Sequence, residues 1–247
     1  MIDIKQVMEQ YEFLRGYKDE AGNIVKNFVM RSMTGYEEDL MASKNIQPLE
    51  KFNKLLVSCC ESIGDVTDKA KIEEIIRKKL SSQDRLFMIV CLRRVTVGDL
   101  FTFTYTCGEC NKDTSLNLDL SKLENISVSD MKYYEEPIKV NLYGNEFVLK
   151  ISTSETEKIQ AQFNIKEDAP SFDILSRIVS INGVVPTLED IKKLPLKIRN
   201  ELRHIFNEME GKVDLEIEAV CSNPDCRNKD TIMLDVSHRN FFYQRGI

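Results

Sequence analysis

Cys107-Gly108-Glu109-Cys110 and Cys221-Ser222-Asn223-Pro224-Asp225-Cys226 are the two stretches on which the fold of this chain turns. Each interrupts a run that reads as a pair of strands. Ahead of the first, Asp99-Leu100-Phe101-Thr102-Phe103-Thr104-Tyr105-Thr106 sets aromatics on one face and threonines on the other. Ahead of the second, Val213, Leu215, Ile217 and Ala219 alternate with Asp214, Glu216 and Glu218 between Lys212 and Val220. A period of two marks a half-buried strand, because successive side chains point to opposite faces. The segments behind the cysteines match as well: Asn111-Lys112-Asp113-Thr114 follows Cys110, and Asn228-Lys229-Asp230-Thr231 follows Cys226 by way of Arg227. Asp119 and Asp235 stand at the same offset from those cysteines.

The pattern predicts two knuckles of one four-cysteine zinc ribbon, each joining a β-hairpin, with Cys107, Cys110, Cys221 and Cys226 as ligands. Zinc takes four thiolates in a tetrahedron, and one tight turn offers only two, so two turns must face each other. Gly108 and Asn223-Pro224 suit such turns. The wider spacing of the second pair is within the range zinc sites use. A redox dithiol is the first rival, but it calls for a thioredoxin-like βαβ setting, and strands flank both pairs here. Disulfides are the second, and they need an oxidising compartment. Four protein thiolates leave no position for water, so the expected site is structural rather than catalytic.

Outward from the cysteines, the 247-residue chain is long enough to bury a sizeable core. Its longest apolar stretch, Leu86 to Leu92, is far too short to span a bilayer. The opening Met1-Ile2-Asp3-Ile4-Lys5 lacks the basic-then-apolar pattern of a signal peptide. The seven cysteines are an odd number for a fully paired secreted framework, which points to synthesis in a reducing cytoplasm. A net charge of −6 and the acidic strand around Glu216 disfavour binding to a phosphate backbone, Arg93-Arg94 being an example of a local basic patch and Arg77-Lys78-Lys79 reading as a solvated helix face.

Ile4, Val7, Met8, Tyr11 and Leu14 recur at helical spacing, so an amphipathic helix is expected to open the chain. A strand over Ile24 to Arg31 and a helix capped by Thr34 or Ser32 follow. Helices are expected from Pro48, with Phe52, Leu55, Leu56, Cys59 and Cys60 as a buried stripe, from Ala70 to Leu80, and from Asp84 to about Val95 behind a Ser81 or Ser82 cap. Roughly a hundred and ten residues separate the knuckles, too many for a loop. They read as a hairpin turning at Gly144-Asn145, helices near Glu155 to Phe163 and Phe172 to Val179, a Thr187/Asp190 capping box, and a helix from Leu196 to Met209 that stops at Gly211. The expected architecture is therefore α+β. A mainly helical domain covers 1–97 and the first ribbon half 98–121. An α/β region of hairpin and helices is inserted at 122–211, and the second ribbon half with the C-terminal tail covers 212–247. His204 reads as a core residue, and His238 lies beside the second knuckle. Phe241-Phe242-Tyr243 reads either as a docking plug or as the last piece of core. No nucleophile–base pair, phosphate loop or converging carboxylates are visible, so no enzyme is expected.

The helix, Val97-Gly98-Asp99, strand, C-x-x-C, strand order of Asp84 to Leu120, together with Ile181-Asn182-Gly183 and the late cysteine pair, resembles the baseplate hub proteins of T4-like contractile-tailed bacteriophages. Met33-Thr34-Gly35-Tyr36-Glu37-Glu38 is similar to a helix opening in that wider group of zinc-ribbon tail proteins. The resemblance implies a non-enzymatic part in building the hub of a tail baseplate, in contact with other hub proteins and the tape-measure protein, within a hetero-oligomeric assembly of the virion. A zinc-ribbon regulator that contacts nucleic acid or a polymerase is the alternative the residues leave open.

Overall fold

The structure, a computed structural model, describes residues 5–162, 168–236 and 241–243. It begins with a strand where a helix was expected. β1 (Met8–Lys18) pairs antiparallel with β2 (Ile24–Arg31), which pairs in turn with β3 (Cys60–Ile63). The helical spacing of the apolar residues misleads because Phe13 to Tyr17 are all buried, and a strand covered on both faces loses its alternation. Phe13 stacks on Phe28 at 4.3 Å, and the Leu14 carbonyl accepts from the Val128 amide at 2.8 Å. Tertiary packing decides this segment.

Between β2 and β3 stand α1 (Gly35–Ala42) and α2 (Pro48–Cys59). The expected cap of α1 is present: the Thr34 amide donates to Glu37 at 2.8 Å, and the two side chains close a capping box. Pro48 opens α2, where its missing N–H costs nothing. Cys59 ends that helix and Cys60 already belongs to β3; both are fully buried. Then come α3 (Lys69–Glu74), a π-helical turn over Ile75–Lys79, and α4 (Ser82–Val97), whose Ser81 cap accepts from the Asp84 amide at 3.0 Å. The ribbon hairpin β4 (Leu100–Thr106) and β5 (Asp113–Asp119) follows.

The segment between the knuckles is α/β as expected. It carries the short β6 (Asn125–Ile126), the hairpin β7 (Ile138–Leu142) and β8 (Asn145–Leu149), α5 (Ser154–Gln162) and α6 (Ala169–Ser176). After these come β9 (Ile178–Ile181), α7 (Leu188–Lys193) and α8 (Leu196–Glu210). The hairpin turns at Tyr143-Gly144 rather than Gly144-Asn145. Both residues have positive φ, 50° and 81°, the primed turn whose twist matches the strands. Last are β10 (Lys212–Val213), paired with β6, and the second ribbon hairpin β11 (Glu216–Val220) and β12 (Lys229–Met233).

This segment also repeats the order of the one before it: hairpin, two helices, a third strand, a short helix, a long helix ending at glycine, then a ribbon hairpin. The agreement extends to register. Phe28 opposes Ile63 and Val29 opposes Ser62, and after a one-residue irregularity Met30 opposes Cys60. Phe147 opposes Ile181, Val148 opposes Ser180, and after the same irregularity Leu149 opposes Ile178. The turn beyond the third strand closes with an Ile63–Val66 bridge in one half and Ile181–Val184 in the other. Gly98 and Gly211 end the long helices at φ 94° and 79° with ψ 176° and 175°.

Each half has its own apolar core. The first holds Phe13, Phe28, Leu56, Ile76 and Met88, and it extends under the bases of both ribbon hairpins through Phe101, Leu120, Leu215 and Val236. The second holds Phe147, Ile174, Ile191, Leu202 and Phe206. Phe241 and Phe242 lie in the first core, not on the surface as a docking plug. His204 is 73% exposed on α8, its Nδ1 3.5 Å from the Glu208 carboxylate, so it is no core residue. His238 lies outside the described residues.

Candidate metal centre

β4 and β11 run up to the two knuckles with the alternation read from the sequence. Phe101 and Tyr105 on one strand, and Ala219 on the other with Leu215 just ahead of it, turn inward, while Thr102, Thr104, Glu216 and Glu218 face out. At the top of the strands both turns are built alike. The Cys107 amide donates to the Lys112 carbonyl at 3.0 Å, and the Cys221 amide to the Asn228 carbonyl at 2.9 Å. Asn111 and Arg227, one after each second cysteine, take left-handed φ of 56° and 47°. Asparagine is a residue type that tolerates that conformation and so signals it. Arg227 carries no such signal, and only its place in the knuckle explains it.

The hairpins bring all four cysteines together. Their Sγ atoms lie within 4.8 Å of one another. Cys107 and Cys226 are 3.9 Å apart, and Cys110 and Cys221 are 3.5 Å apart. Four sulfurs about 2.3 Å from a central zinc stand about 3.8 Å from each other, so the cluster has the size the ion needs. None of the seven cysteines is in a disulfide. Thr114 ties the turns together beside the thiols: its Oγ1 accepts from the Ser222 amide at 3.1 Å and donates to the Ser222 hydroxyl at 3.2 Å.

Backbone amides point at the sulfurs. The Asn223 amide donates to Cys221 Sγ at 3.4 Å, and the Lys112 and Asn228 amides serve Cys110 and Cys226. The Lys112 N–H, with the neighbouring thiols, holds Cys110 at about 7. The Asn228 N–H favours the Cys226 thiolate too, yet burial and the three adjacent sulfurs push that thiol up to about 12. One proton leaves easily and the last does not, because four negative sulfurs this close repel one another. A divalent cation at their centre removes that repulsion and makes all four thiolates ligands. The donor set therefore fits a soft or borderline metal, with every position filled by protein. The other cysteines have no such setting: burial pushes the thiols of Cys59 and Cys60 up to about 12, and Cys91 is raised as well.

The Arg93-Arg94 patch does not survive folding. Arg93 is fully buried, and Arg94 pairs with Asp99 at 2.7 Å. Among the described residues no helix is long and apolar enough to cross a membrane.

The family model described as T4 bacteriophage base plate protein matches residues 17–242, which takes in both halves and all four clustered cysteines. No curated protein and no solved structure matches the chain.

Proposed function

Because the chain belongs to the T4 bacteriophage base plate protein family, we propose that it is a structural or assembly component of the central hub of a phage tail baseplate, working through protein–protein contacts and held by one structural zinc. Its partners on this reading are other hub proteins and the tape-measure protein, its place is the baseplate of the virion after synthesis in the host cytoplasm, and it performs no catalysis. The observation that carries the reading is the closed cluster of four cysteine sulfurs within 4.8 Å in a chain of this family. Cys107, Cys110, Cys221 and Cys226 would hold the ion, which supplies a cross-link between two hairpins and no reactive position. The acidic outer face of β11 and the internal pairing of Arg93 and Arg94 speak for protein partners over nucleic acid.

Purified protein should contain one equivalent of zinc, and Cys107→Ser and Cys221→Ser should each lose it. Apparent zinc affinity in such sites is worth roughly 10–16 kcal/mol, so both variants should loosen or unfold the ribbon. Parent-like stability in both would mean that the four cysteines share no metal. Co-expression with the neighbouring tail proteins should yield a stable complex. A chain that joins none of them and is missing from tail intermediates is not a hub component.

A further inference from the structure

We infer that a second copy of this chain docks head-to-tail on the face formed by Tyr143, Leu196 and Lys197. The inference comes from comparing the two halves and goes beyond the baseplate reading without depending on it. Counted back from Phe28 and Phe147, whose pairing with Ile63 and Ile181 is shared, Ile24 stands at the position of Tyr143, Ile24 at the start of β2 and Tyr143 in the hairpin turn just before β8. The long helices correspond from their first residues, so Ser82 and Gln83 are the counterparts of Leu196 and Lys197. Both helices then place a buried arginine against the second helix of their own half, α2 or α6: Arg85 donates to Asn53 at 3.1 Å, and Arg199 to Ser171 at 3.1 Å.

In the first half this face is covered by the second half. The Ser82 amide donates to the Ser152 carbonyl at 2.7 Å, and the Ser82 hydroxyl meets the Ser152 hydroxyl at 2.9 Å. Gln83 accepts from the Val213 amide at 3.0 Å, and Ile24 packs against the second core. In the second half the same face is open and more apolar. Tyr143 is 56% exposed and Leu196 70%. Lys197 Nζ lies 4.6 Å from the Tyr143 ring centre, which keeps the hairpin tip and the helix start together. Val184 is 68% exposed, whereas its counterpart Val66 is partly buried.

A contact that joins two unlike faces of a repeated unit leaves one of each unused, and a further copy can fill them. The covering residues Ser152 and Val213 correspond to Met33 and Asp99 in the first half, by the sheet register and by the Cys221–Cys107 match. Leu100, next to Asp99, is 63% exposed. A second copy would thus set Leu100 against Leu196, two apolar groups facing each other, and bring Lys197 beside the Asp99 carboxylate, which within its own chain pairs with Arg94 at 2.7 Å.

Sedimentation velocity of the zinc-loaded full-length chain over a concentration series should show self-association. Leu196→Asp should weaken it roughly tenfold or more, the loss expected for one buried leucine. Met233→Asp, on the exposed edge of the other ribbon hairpin, should leave it unchanged. A photo-crosslinking residue at position 196, in mixed heavy and light protein, should capture the peptide around Leu100 of another copy. A chain monomeric at every concentration overturns the inference. So does indifference to Leu196→Asp, capture of the position-196 peptide itself, which marks a two-fold contact, or capture only of a different tail protein. A monomer that still joins a hub complex overturns this contact alone, whereas loss of all tail complexes with self-association intact overturns the baseplate reading instead.

Discussion

Arg93 is the residue whose replacement tests the packing most sharply. It is fully buried on α4, and among the described residues its guanidinium donates to three carbonyls: Phe241 at 3.1 Å through Nε, Leu100 at 2.6 Å, and Gly98. Its Cζ lies 5.3 Å from the Phe101 ring centre. One side chain thus joins the long helix, the first ribbon strand and the C-terminal aromatic pair. Hydrogen bonds from a charged group are worth roughly 1.5–3 kcal/mol each, and three of them would sum to about 4–9 kcal/mol. Arg93→Met also relieves the desolvation of a buried cation, which offsets part of that loss, and the net cost should be about 3–5 kcal/mol. For a chain of this size each kcal/mol lowers Tm by about 2–4 °C, so the melting point should drop by about 6–20 °C. Arg93→Lys should lose most of the same stability, since an ammonium cannot fork toward three fixed carbonyls. Arg94→Met should cost no more than about 1 kcal/mol, because its partner Asp99 is 47% exposed. Thermal and urea unfolding followed by circular dichroism would measure all three. An Arg93→Met protein melting within about 2 °C of the parent refutes the three-carbonyl junction.

Burial raises the Asp84 carboxyl to about 6, against the pull of the Arg15 and Gly16 amides it accepts. A raised acid binds its proton more tightly when folded, so acidification from about pH 6 toward the ordinary carboxylate value should add stability, and Asp84→Asn should abolish that increment in unfolding measured at stepped pH. Glu37 runs the other way. Burial alone would raise it, but Arg31, Ser58 and Thr34 hold it at about 2, so its contribution is present above the ordinary glutamate range and lost as pH falls toward 2. Glu37→Gln should flatten that acid limb. Gly98→Ala and Gly211→Ala share a backbone region open to glycine alone, about 1–3 kcal/mol for any other residue. A Cβ at Gly98 meets nothing within 4 Å, whereas one at Gly211 falls 2.7 Å from Leu14 Cβ and 2.8 Å from the Ile126 carbonyl. Gly211→Ala should therefore be the more destabilising, and equal urea midpoints would contradict the close approach of β1 and β6 to that turn.

Local signals carried much of the fold. Caps at Thr34, Ser81 and Thr187, Pro48 at a helix start, and the glycine stop at Gly211 are short-range chemistry, and each stands where its residue type requires. The opening segment is misread from sequence because its neighbours are far away: Phe13 stacks on Phe28, while Arg15 reaches the Met209 and Tyr133 carbonyls, so 13–17 are buried whichever way their side chains point. His204 failed for a related reason. It sits among apolar helix positions, and only the packing of α8 shows which side of it faces solvent.

The paired cysteines define the candidate metal site in the fold. Thiols at tight spacing between alternating strands are written locally, so the chain by itself determined the knuckles, the ribbon hairpins and the four residues that could share an ion. What it left undecided was how the halves are arranged. Sequence similarity between them survives mainly around the cysteines, whereas the equal sheet registers, bridges and helix stops are properties of backbone geometry that differing side chains can satisfy. Only the tertiary structure reveals that the region between the knuckles is a second unit of the same design. It also decides which face each half buries against the other, since that depends on contacts between residues more than a hundred positions apart, where no local pattern reaches.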